Sequence, residues 1–66
     1  MSLYDFKKAV ELSRADVPFY ALIMAAMLRA DSINIEKLKE AWPEIADETQ
    51  KRYDAPGGII EEDERP

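Results

Sequence analysis

Cysteine and histidine are both missing from this chain, and those two absences exclude more than any residue that is present. Without cysteine there is no disulfide framework, and without either residue none of the usual zinc sites can form. The commonest general base and the commonest nucleophile–base pairs go with them. No glycine-rich phosphate loop replaces them, and the chain reads as non-enzymatic, with no cofactor, no metal and no evident small-molecule substrate. Only two glycines occur, Gly57 and Gly58, both near the end, so hairpin signals are missing. No stretch alternates apolar and polar residues long enough to suggest a strand.

Positive charge is also scarce. Nine Lys and Arg face fourteen Asp and Glu, a formal net charge of -5. Nucleic acid binding needs clustered cations, which disfavours a nucleic-acid partner, and adsorption to an anionic membrane is disfavoured for the same reason. Much of the excess is local, because Glu61, Glu62, Asp63 and Glu64 stand against Arg65 alone at the C-terminus. Residues 1–58 therefore read as one helical domain and residues 59–66 as an acidic, flexible tail. At 66 residues the chain lies near the lower limit for folding without staples, so helix packing or self-association must stabilise it.

What the chain does have is an apolar run, residues 17–28, in which no charge appears before Arg29. A surface helix carries an apolar stripe and a polar back; this segment is apolar all round and needs cover on every side. It is too short to cross a bilayer, about 20 Å at 1.5 Å per residue against roughly 30 Å, and nothing resembles a signal peptide, so the expected setting is cytoplasmic.

The expected fold is all-α, a small bundle of three to four short helices around this central apolar helix. The first helix spans about residues 3–14, with Ser2 and Asp5 in capping-box register and Leu3, Phe6 and Val10 as its buried stripe. Asp16 is the expected cap of the second helix, with Ser13 the alternative, and Pro18 falls in its first turn. Asp31, Ser32 and Asn34 offer a turn and a further cap before a third helix over 35–42. Pro43 predicts a break that opens a fourth helix ending near Tyr53; a kinked continuous helix is the alternative. Asp47 with Lys51 and Glu48 with Arg52 are spaced as surface ion pairs. Ala55-Pro56-Gly57-Gly58 reads as a type II turn.

Several constellations have plain structural readings. Glu44, Asp47 and Glu48 form a solvated acidic face, with two of the three matched to cations. Trp42 and Tyr53 fall in phase with apolar neighbours and read as core. A helix-turn-helix reading of the second and third helices fails on the charge balance of 35–40. The apolar helix keeps a sharper reading, because three short helices cannot cover its whole circumference. The residual side is a candidate interface made of Tyr20, Ala21, Met24, Ala25, Met27 and Leu28. The alanines permit close backbone approach, and the methionines offer adaptable contacts. Burying even about 400 Å² per subunit there yields on the order of 10–20 kcal/mol gross before association costs. A homodimer is the expected partner state, with an unknown protein partner as the other option.

The segments 18–27, Ala30-Asp31, Leu38, Ala41-Trp42-Pro43 and 52–58 together resemble a type of short uncharacterised bacterial or phage-encoded helical protein. The resemblance covers most of the body. It implies a cytoplasmic accessory protein from a prophage or mobile element and brings no site residues. Two alternatives differ in class: a nucleic-acid-associated regulator, and an antitoxin-like acidic binder that engages a basic partner through residues 59–66.

Overall fold

A computed structural model describes residues 1–64, and within them the fold is all-α. Four helices follow in order: α1 (Leu3–Ser13), α2 (Phe19–Arg29), α3 (Ser32–Ala41) and α4 (Pro43–Asp54). Two short 3-10 turns, Pro56–Gly58 and Glu61–Glu64, complete the described chain.

The helix boundaries follow local chemistry. At α1 the Ser2 hydroxyl accepts from the Asp5 N–H at 3.2 Å, and the Asp5 carboxylate accepts from the Ser2 N–H at 3.0 Å, a complete capping box. Asp31 caps α3 by accepting from the Asn34 N–H at 2.8 Å, so this helix begins at Ser32, three residues earlier than the apolar pattern indicates. Asp16 does not cap α2. Pro18 is the N-cap, in extended geometry with φ -65° and ψ 153° and no side-chain bond. A proline disfavours helical geometry in the residue before it, here Val17, so the helix starts after Pro18 and leaves Asp16 two residues out of register.

The break at Pro43 is present. Trp42 leaves helical geometry at φ -136° and ψ 69°, and Pro43 opens α4 where its missing N–H costs nothing. At the far end the Gly58 N–H donates to the Ala55 carbonyl at 3.0 Å across Pro56 and Gly57. Gly57 has φ 61°, the left-handed position that the predicted turn requires.

Packing departs from the expected plan. The shared element is α4, on which α2, α3 and the Pro56–Gly58 turn all rest. The apolar α2 contributes Leu22, Ile23 and Met24, half-buried, and Met27, buried, with Ala30 half-buried at its C-cap, and is not enclosed. Among the described residues Met27 is the one buried hydrophobic residue, at 6% exposure, and Thr49 of α4 is buried beside it. The Thr49 hydroxyl donates to the Ile45 carbonyl at 2.7 Å and lies 3.7 Å from the Met27 sulfur. Ile35, Leu38, Trp42, Ile45 and Ala46 are half-buried around this pair. No residue of α1 is buried, and Val10 alone is half-buried. The expected stripe of Leu3 and Phe6 is therefore exposed. Tyr53 is exposed as well, against its expected core role, because it falls in the last turn of α4 beside an open groove that no side chain fills.

Candidate interaction surface

The candidate surface starts from the periodicity of α2. Ile23 and Met27, four apart, share one side of α2, which packs against α4, and the half-buried Ala30 follows just past the helix end. Ala21, Ala25 and Leu28, at spacings of four and three, lie about half a turn away and are exposed. Tyr20, also exposed, and Met24, half-buried, flank that second stripe. Five of the six predicted residues are thus on or beside an open side. Met27 belongs elsewhere: six positions from Ala21, it lies on the opposite seam and enters the core. Phe19 and Tyr20 extend the surface at the start of α2, their rings edge-on with centroids 5.3 Å apart.

A second apolar feature was invisible in the sequence. Where α2, α3 and α4 meet, Met27, Leu28, Ile35, Pro43, Ala46 and Tyr53 line an open groove of about 660 Å³. Lys39, Asp47 and Gln50 stand along it, and Thr49 contributes to its floor. Leu28 belongs both to this groove and to the exposed stripe of α2, so the two features are continuous. The groove joins three helices distant in sequence, and no single periodicity could have announced it.

Polar chemistry is concentrated on another side of α4, around Glu48 and Arg52. The Arg52 guanidinium donates to both carboxylate oxygens of Asp63, at 2.6 and 2.8 Å, to the Gly58 carbonyl at 2.9 Å and to Glu48 at 3.0 Å. Asp63 also accepts from the Ile60 N–H at 3.0 Å. The bond to Arg52, followed by that from Ile60, holds the Asp63 carboxyl down at about 2. The same carboxylates hold Arg52 above its usual range. Lys51 is raised by its hydrogen bond to Asp47, 3.0 Å away. Both predicted i,i+4 ion pairs of α4 are formed. This clasp folds the start of the acidic segment onto α4 and leaves Ile60 half-buried. Arg65 and Pro66, the end of the predicted tail, lie outside the described residues.

Among the described residues no group of three or more Asp and Glu is placed to hold a metal ion. No helix there is long and apolar enough to cross a membrane. No family model matches the chain, and comparison with curated proteins and with solved structures returns no match either.

Proposed function

We propose that this protein acts through protein–protein contact, as a homodimer, and not by catalysis. The observation that supports this reading most is its surface. The chain presents 5831 Å² to solvent, whereas a folded monomer of 7.6 kDa presents about 4,300 Å². The excess, about 1,500 Å², exceeds the roughly 800 Å² that each partner contributes to a standard interface. The radius of gyration agrees: 13.8 Å against about 11 Å for a compact domain of this length. Large apolar side chains contribute to that exposed surface. Leu3, Phe6, Phe19, Tyr20 and Leu28 are all more than half exposed, and apolar surface on that scale marks an interaction site. The open side of α2, with Tyr20, Ala21, Met24, Ala25 and Leu28, is the place for a second copy, since its alanines let two backbones approach closely. The resemblance to short bacterial and phage-encoded proteins fits an accessory role in the cytoplasm.

Light scattering or sedimentation equilibrium from low to high micromolar concentration tests the reading. The expected mass is twice 7.6 kDa. A mass that stays at one chain throughout ends the proposal.

A further inference from the structure

Two unpartnered apolar features lie in the same chain and do not meet. One is the stripe of α1, Leu3, Phe6 and Val10, with Leu3 68% and Phe6 65% exposed. The other is the groove between α2, α3 and α4, to which α1 contributes no residue. A helix so completely capped is ordinarily stabilised by docking its apolar face, since helices of about a dozen residues are marginal alone. We propose that α1 of one copy docks in the α2–α3–α4 groove of the other, reciprocally, so that the homodimer is closed by an exchange of first helices. This inference rests on the homodimer reading and names the surfaces it uses.

Three observations converge on a second copy as the occupant. The first is area: the surface excess of about 1,500 Å² calls for each chain to lose both a helix face and a groove, more than one stripe of α2 supplies. The second is charge. Lys7, Lys8 and Arg14 against Asp5 and Glu11 leave residues 3–14 at +1, whereas the whole chain is at -5, so the remainder carries -6. Helix α1 itself is neutral and the groove's own charges, Lys39 and Asp47, cancel. The difference lies between the segment that includes the Arg14 cap and the chain as a whole, and it favours their encounter. The third is the connection. The N–H groups of Arg14, Ala15 and Val17 are bonded locally, to Glu11, Leu12 and Ala15 at 3.2, 3.1 and 2.9 Å. These bonds set the turn after α1 without bringing α1 onto its own groove. Leu28 links the groove to the open stripe of α2, so an exchanged α1 lies beside the α2–α2 contact. The fit is that of an amphipathic helix in an apolar groove, with anchors at i, i+3 and i+7.

The absence of cysteine makes the test direct, because one introduced thiol takes a spin label at one position. Copies carrying Ala9→Cys with a nitroxide are mixed with isotope-labelled, unmodified copies, and amide broadening is read only in the latter. The expected result is broadening at Leu28, Lys39 and Gln50. Phe6→Asp supplies the second arm. It removes no buried group from the single chain, and it is expected to weaken dimerisation at least tenfold while the helical circular dichroism of the dilute protein stays unchanged. A dimer whose broadening is confined to 20–25, or whose affinity ignores Phe6→Asp, overturns the exchange and leaves the homodimer standing. Broadening at Leu28 and Gln50 within one labelled chain at dilution overturns it in favour of an α1 that closes on its own groove. A mass of one chain at every concentration removes the homodimer itself.

Discussion

Helices α1 and α4 are nearly equal in length and are stabilised by opposite means. Helix α1 has the most complete local signals in the chain: a reciprocal capping box, an acid in its first turn, a Lys8–Glu11 pair at 3.4 Å and a Lys8 ammonium 5.6 Å from the Tyr4 ring. It buries nothing. Helix α4 has no side-chain cap and starts on a proline, yet every other packed element rests on it. Local code therefore decides whether a segment is helical, and tertiary burial decides separately whether that helix is docked. In α4 the two coincide; in α1 only the first operates within one chain.

Truncating the single buried hydrophobe is the strongest way to break this contrast. Met27→Ala is expected to destabilise the α2–α4 unit by about 2 kcal/mol, the low end for buried methionines because the site borders an open groove that lets its surroundings relax. Thermal unfolding should fall by roughly 10 °C for a domain of this size, while the amide shifts of α1 in dilute protein stay in place. An α1 that melts together with α2 would show that the two regions are not separate.

Ser2→Ala makes the complementary cut. It removes one half of the capping box and is expected to cost α1 about 1 kcal/mol. At concentrations below dimerisation the loss should appear as reduced helicity of α1 alone, with the melting of α2–α4 unmoved. In concentrated protein, where the exchange operates, the same substitution should also weaken the dimer.

Acid gives the smallest effect and touches only the α4 end. The Asp63 carboxyl is held down at about 2, from an ordinary value of 3.8. A depressed carboxylate contributes its stabilisation in full above its unfolded value and loses it as pH falls through its folded value. The clasp should therefore persist at pH 4 and release between about 4 and 2. The carboxyl carbon shift of Asp63 and the exchange of the Ile60 amide measure this. Release near pH 4 would mean that Arg52 does not hold the segment.

What the sequence made legible follows the same division. The Ser2–Asp5 box, the break at Pro43, the two ion pairs of α4 and the turn at Gly57 each depend on residues within four positions, and each is seen as expected. Asp16 was a plausible cap by type and failed because Val17, before Pro18, cannot enter a helix readily. Tyr53 has the right phase for burial but stands on the rim of an open groove, and phase carries no information about whether a groove is filled. The groove failed for a larger reason. It is a junction of three elements, and periodicity along one helix cannot describe a shape made by three. The sequence marked a side of α2 but not the burial of Met27, because ten apolar positions in an eleven-residue helix leave the inward seam undefined.

The joint at Trp42 has one further consequence. Its N–H closes the last bond of α3 at 2.8 Å, to Leu38, and its carbonyl accepts the first of α4 at 3.0 Å, from Ala46. One residue thus serves both ladders, so α3 and α4 follow one another across a single-residue elbow with no linker between them. The indole of the chain's single tryptophan sits half-buried at that elbow. Its intrinsic fluorescence is a native gauge of the elbow's integrity, already installed and requiring no label.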